Sequence, residues 1–176
     1  NDHIKDVKVE DFDWMYQTNV LGPLLMVQAV EKYLPNDRSG RIVNLSSISS
    51  SEEFHGQTVY GGTKAAVESM TRTCARELCE RCTVNSINPG PVLTDTWTGM
   101  PPSHRNGLKD WMAHSPLAAA RKGIDSEELI EQAIDAGGRP GYPSEIAGIV
   151  GMLCSEESGW CTGQSVCANG GMRMAI

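Results

Sequence analysis

Tyr60 and Lys64 stand four positions apart in Tyr60-Gly-Gly-Thr-Lys64. On a helix that spacing stacks both side chains on one face, about one turn apart. A phenol beside an ammonium is a device for moving protons. Free tyrosine has a pKa near 10, and lowering it to about 7–8 requires a preference for phenolate of ~3–4 kcal/mol. A lysine ammonium close by, partly shielded from water, can supply that much. Lys64 is therefore expected to bring the Tyr60 phenol into the neutral range.

The neighbouring elements must hold this pair in place. Apolar residues Phe12, Met15, Val20, Leu24, Val27 and Val30 recur at helical spacing and predict a helix over 11–34, broken at Pro35-Asn36-Asp37. Inside it, Pro23 has no N–H to give the carbonyl of Asn19. That carbonyl is either a ready ligand for water or the mark of a simple kink. Arg41 to Ser46 is a β-rich run that delivers Ser47 to the start of a Ser-rich loop. A second helix is expected from Val59 to about Arg81, with Thr58 as its N-cap and Val67, Met70, Cys74 and Leu78 as its buried stripe. Gly61 and Gly62 each cost about 1 kcal/mol there relative to Ala, which is sensible if a cofactor ring must approach closely.

Thr83 to Asn88 reads as a strand, ended sharply by Pro89-Gly90-Pro91-Val92-Leu93-Thr94. Such a turn at the carboxyl edge of a sheet is where α/β folds bind ligands, although it would also end any strand. Residues 96–138 read as a long irregular segment with one short amphipathic helix over 125–135. Trp97, Met100 and Trp111 within it could line an apolar pocket or equally pack the segment down. Pro143 opens a further helix, and Gln164 to Ala168 is a last strand before Asn169-Gly170-Gly171. Strand and helix alternate, which predicts an α/β fold with a doubly wound parallel sheet.

Bulk properties narrow the field. The 176 residues, 40% hydrophobic and 21% charged, suit one packed domain. A net charge of −7 with no basic stripe argues against nucleic acid. The longest apolar stretch, Val20 to Val30, is too short and too broken to span a bilayer. Cys79-Glu-Arg-Cys82 has no second half that would complete a metal site. The six cysteines are expected to be reduced and structural, in a cytoplasmic protein without a metal.

Taken in order, Asn19-Val-Leu-Gly, Ile42-Val-Asn-Leu-Ser-Ser47, Tyr60-Gly-Gly-Thr-Lys64-Ala-Ala, Asn88-Pro-Gly-Pro-Val-Leu-Thr94 and Gly163-Gln…Asn169-Gly-Gly resemble the short-chain dehydrogenase/reductase family over nearly the whole chain. The resemblance implies the C-terminal part of a Rossmann-like NAD(P)-binding domain, with residues 96–138 as a substrate lid. It implies a catalytic set of Asn19, Ser47, Tyr60 and Lys64 moving hydride between NAD(P)H and a small ketone or secondary alcohol. Tyr60 would trade a proton with the substrate oxygen, and Ser47 would hold that oxygen as a dipole aimed at developing charge. Lys64 would also bond the nicotinamide ribose, and Asn19 would hold a water feeding protons to the lysine. Pro89, Gly90, Val92 and Thr94 would bind the carboxamide end of the cofactor with Tyr60 and Lys64. A homodimer or homotetramer is expected, built on the two long helices.

The family's Gly-rich phosphate loop is not found, as no GxxxGxG occurs in these residues. At ~30 residues per βα unit, about a hundred residues carrying that loop are expected to precede Asn1. Without them a rival reading stands, a non-catalytic binding or regulatory protein on the same scaffold. His55, between Ser47 and Tyr60, is expected to be a solvated loop residue, though it lies near where substrate would sit.

Overall fold

The computed structural model describes residues 3–52 and 54–174. The first helical stretch runs from α1 (Val9–Tyr16) through a π-helical turn, Gln17–Leu21, into α2 (Gly22–Glu31). Glu10 and Asp11 occupy its first turn, where unpaired N–H groups favour negative charge. It ends before residue 34 because the chain tightens: Tyr33 and Leu34 donate to the carbonyls of Val30 and Glu31, only three positions back.

Strand β1 (Gly40–Leu45), helix α3 (Thr58–Glu77) and strand β2 (Cys82–Pro89) form a strand–helix–strand unit. The two strands are parallel, with Gly40 opposite Cys82 and Leu45 opposite Ile87. Strand β3 (Ser165–Ala168) adds to the other side of β2, giving the order β1-β2-β3. The central β2 is buried from Cys82 to Asn88. Its Asn85 side chain finds partners within the fold: it donates to the Cys161 carbonyl at 2.8 Å and accepts from the Gln164 N–H at 3.0 Å. That clamp satisfies an amide that would otherwise be costly to bury.

Helix α3 packs by a different stripe from the one its apolar spacing suggests. The buried positions are Thr63, Val67, Thr71 and Ala75, while Met70, Cys74 and Leu78 are only partly covered. Small residues at every fourth position let the helix lie close to its neighbours. The threonines are tolerated because each hydroxyl is bonded back to its own helix, Thr71 to the Val67 carbonyl at 2.9 Å and Thr63 to the Tyr60 carbonyl at 2.7 Å. Cys74 and Leu78 instead join a cluster with Leu34, Ile42, Ala75, Cys82 and Val84.

The chain forms two compact units. One ends at Asn88 and takes in Ile149–Val166; the other covers Pro89–Gly148 and resumes at Cys167. In the second unit the segment expected to be largely irregular carries three helices, α4 (Asp95–Thr98), α5 (Pro102–Ala113) and α6 (Glu127–Ala136). Trp97 is 2% exposed, and its indole N–H donates to Gln132 at 3.2 Å, so this tryptophan packs its own unit together. Trp111 is 40% exposed. Ser126 caps α6 by accepting from the Leu129 N–H, and Gly137 ends it in the left-handed region at φ 78°. Arg139 is nearly buried and grips Glu145 by two bonds of 2.8 and 2.9 Å, which holds that carboxyl below its ordinary range. Helix α7 (Pro143–Cys154) follows.

All six cysteines are free thiols. Among the described residues no group of three or more metal-ligating side chains converges, and no helix is long and apolar enough to cross a membrane.

Candidate active site

Ser47, Tyr60, Lys64 and Asn19 all lie in the first unit, on three different pieces of backbone, with Tyr60 and Lys64 sharing α3. Ser47 follows β1 in an extended conformation and opens the short 3-10 turn Ile48–Ser50. Its oxygen accepts from the Ser49 N–H at 3.2 Å and lies 3.2 Å from the Ser49 hydroxyl, which fixes its rotamer. The side chain is 9% exposed, so the hydroxyl is oriented before any ligand arrives. Tyr60 sits in the first turn of α3, half-buried and near enough to Ser47 for that hydroxyl to favour its phenolate.

Lys64 comes one turn later. Its ammonium lies 5.5 Å from the centre of the Tyr60 ring and donates to the Leu45 carbonyl at 3.0 Å. That bond occupies one of three N–H donors and leaves two for a ligand. The end of β1 thus holds both Ser47 and, through a carbonyl, Lys64.

The electrostatics run opposite to the expectation from spacing. Burial pushes the Tyr60 phenol above its ordinary value, and the Ser47 hydroxyl pulls it only part of the way back. Burial likewise pulls the Lys64 ammonium down. The physical reason is that both groups lose water on folding, and burial disfavours a charged phenolate and a charged ammonium alike. Left to the chain's own residues, the phenol holds its proton at neutral pH.

Asn19 lies in the π-helical turn. The kink arises as Pro23 requires: with no N–H at that position the ladder shifts, and Gly22 donates five residues back to Gln17. The Asn19 amide donates to Thr63 at 3.2 Å, and Thr63 in turn donates to the Tyr60 carbonyl. Asn19 is therefore tied to the Tyr60 backbone through one hydroxyl, a link invisible without knowing that Thr63 faces inward.

The glycines beside Tyr60 make room for neighbours within the chain itself. A Cβ on Gly61 would overlap the carbonyl oxygen of Ser49, in the turn that orients Ser47. One on Gly62 would come within 3.1 Å of the Tyr16 hydroxyl. His55 is exposed and lines an open groove with Ser49, Gly61 and Gly62, a groove whose lining includes neither Tyr60 nor Lys64. Thr58 is the first residue of α3 and not its cap; Gln57 takes the cap position without a side-chain bond.

Pro89, Gly90, Val92 and Thr94 belong to the second unit. There Gly90 runs against Asn169, where a Cβ would be 3.1 Å from that residue's own. Val92 bridges Gly141 in parallel fashion, and the Leu93 N–H donates to the Gly141 carbonyl at 2.8 Å. Thr94 is exposed, and its hydroxyl turns back to the Val92 carbonyl at 3.3 Å.

A family model described as enoyl-(acyl carrier protein) reductase matches residues 1–134. The chain belongs to the short-chain dehydrogenase/reductase family, with the α/β, Rossmann-like fold of that family. It is 48% identical to an L-xylulose reductase of Aspergillus niger over 92% of its own length and 58% of the relative's. It is 50% identical to an L-xylo-3-hexulose reductase of Hypocrea jecorina, over 94% of the chain and 58% of the relative. Among solved structures, a blue fluorescent protein from a metagenomic library, in complex with NADPH, matches with a TM-score of 0.77. That match is 26% identical and covers 98% of this chain and 60% of the other. The chain spans under three-fifths of the length of the two reductases.

Proposed function

We propose that this chain is the catalytic, C-terminal part of one NADPH-dependent reductase domain acting on an open-chain polyhydroxy ketone, with residues 96–138 as the substrate lid. The observation that carries the reading is the half-buried Tyr60 phenol, beside an oriented Ser47 and with the Lys64 ammonium 5.5 Å from its ring centre. A phenol that keeps its proton at neutral pH is poised to give it, which suits reduction of a carbonyl more than oxidation of an alcohol. The ketose assignment is supported by identities of 48% and 50% to reductases of a pentulose and a hexulose.

In this mechanism Ser47 holds the substrate oxygen and aims its dipole at the charge that develops there. Tyr60 releases its proton to that oxygen. Lys64 steadies the phenolate left behind and offers its two remaining N–H groups to the nicotinamide ribose. Asn19, fixed by Thr63, keeps the π-turn backbone in register, where the carbonyl freed by Pro23 can hold the water that returns a proton through Lys64. Pro89, Gly90, Val92 and Thr94, by the family resemblance, would hold the carboxamide end of the cofactor. When bound, the dihydronicotinamide supplies the hydride. The nicotinamide end suits the residues present; no Gly-rich loop in them would hold the pyrophosphate.

The proposal extends to a cytoplasmic homodimer or homotetramer. Free thiols suit a reducing compartment, and Trp14 at 66%, Leu25 at 51% and Met26 at 69% exposure leave an apolar face on the first helical stretch to be covered. To test the activity, the complete protein is mixed with NADPH and either L-xylulose or a simple aliphatic ketone. Consumption of NADPH is expected with the ketose and to be at least about tenfold slower with the plain ketone, because a site built to bond hydroxyl groups rejects an analogue lacking them. Equal rates would overturn the ketose assignment, and no consumption with either would overturn the reductase reading.

A further inference from the structure

Glu68 stands one helical turn beyond Lys64, and a single carboxylate oxygen there gathers the ends of two strands. Ser46 Oγ lies 2.9 Å from Glu68 Oε1 and 3.2 Å from the Lys64 carbonyl. The Asn88 amide donates to the same Oε1 at 2.8 Å. Ser46 and Asn88 are each 4% exposed, and the Asn88 side-chain oxygen Oδ1 is buried without a hydrogen-bond partner among the described residues. The contact to Glu68 is thus the short, well-placed bond of a buried side chain whose other end is unsatisfied; its remaining contact, to Ser50, is 3.4 Å.

Ser46 directly precedes Ser47 at the carboxyl end of β1, and its N–H donates to the Ile87 carbonyl at 2.9 Å. Apolar contacts alone would let α3 slide on this sheet by fractions of an ångström, because dispersion is weak per atom and has no preferred direction. Hydrogen bonds to a charged acceptor are short and directional. One oxygen on the turn after Lys64 therefore fixes where the helix carrying Tyr60 and Lys64 sits relative to the strand end carrying Ser47.

We propose that Glu68 is a positioning residue, setting the distance between Ser47 and the Tyr60–Lys64 pair through Ser46 and Asn88. It touches neither substrate nor cofactor. The proposal rests on the reductase reading above, and its consequence is for turnover more than for affinity: misplacing reacting groups by about 1 Å can cost on the order of 100-fold in rate.

The test uses the complete protein, with kcat and KM for NADPH-dependent ketose reduction measured well below the Tm of each variant. Glu68→Gln keeps an acceptor oxygen and is expected to stay within about threefold of the parent, whereas Glu68→Leu should lose about tenfold or more in kcat with KM little changed. Asn88→Asp sets a second carboxylate against Glu68 and should lose a similar factor. Asn88→Asp combined with Glu68→Gln exchanges amide and acid across the same contact and should recover most of it. If Glu68→Leu does not fold, as judged by circular dichroism, the Asn88→Asp pair decides: recovery in the double variant upholds the positioning role, and its absence overturns it. Equal losses in Glu68→Gln and Glu68→Leu would also overturn it. Tyr60→Phe is run alongside. If that variant is fully active the reductase reading itself fails; if it is inactive while Glu68→Leu and Asn88→Asp turn over normally, only the role of Glu68 is lost.

Discussion

Tyr60→Phe is expected to lower kcat for ketone reduction by about 10²–10⁴-fold, the usual range for removing a positioned general acid. The replacement removes one oxygen and leaves the ring. Nothing in the backbone of α3 depends on that oxygen: Thr63 bonds the Tyr60 carbonyl, not its side chain, and Ser47 keeps its two contacts with Ser49. KM should therefore change little, and the Tm should stay within a few degrees of the parent. Steady-state rates followed by dihydronicotinamide absorbance check the first point and a thermal melt the second. A loss of folding along with activity would mean the hydroxyl is chiefly structural.

The second large effect concerns stability. By helix propensity alone, Gly61→Ala should gain about 1 kcal/mol, since glycine is costly inside a helix. The new methyl would instead overlap the Ser49 carbonyl oxygen, a backbone atom that cannot swing aside. Overpacking of this kind costs about 1–3 kcal/mol and occasionally more, so the clash is expected to win. A Tm lower by several degrees follows for a domain of this size. Gly62→Ala is the matched control. Its methyl meets the Tyr16 hydroxyl at 3.1 Å, the far end of a side chain that can turn, so propensity should win there and the Tm should hold or rise. If both variants melt at the parent temperature, α3 does not lie as close to the Ser49 turn as described.

The chemistry was more legible in the sequence than the packing that holds it. Tyr60, Lys64 and Ser47 announced themselves by residue type and spacing, and the structure brings those three together around the end of β1. The parallel strand–helix–strand unit was legible too, because β1 and β2 are bounded by glycine and proline. The stripe of α3 was not, because two of its four buried positions are threonines whose hydroxyls are hidden by bonds within the helix. An apolar pattern cannot reveal a polar residue that behaves as a small apolar one. Helix α5 escaped for a related reason: it buries only Leu108 and Met112, and Gly107 interrupts it. The direction of the Tyr60 shift was missed because spacing reports the nearness of a charge and says nothing about lost water. Glu68 carries no signal in the sequence, since a lone acid on a helix is ordinarily solvated, and only the folded chain shows Ser46 and Asn88 turned toward it.

The most direct test of a protonated phenol acting as the acid is the pH dependence of kcat for ketose reduction in the complete protein. A group that must carry its proton is active below its pKa and inactive above it. Burial raises that value for Tyr60, so the rate should be level through neutrality and fall only on the alkaline side. Tyr60→Phe should show no such limb in its residual rate. A reduction rate that climbs as pH rises through neutrality, or an alkaline limb that survives in Tyr60→Phe, would contradict the assignment of Tyr60 as the proton donor.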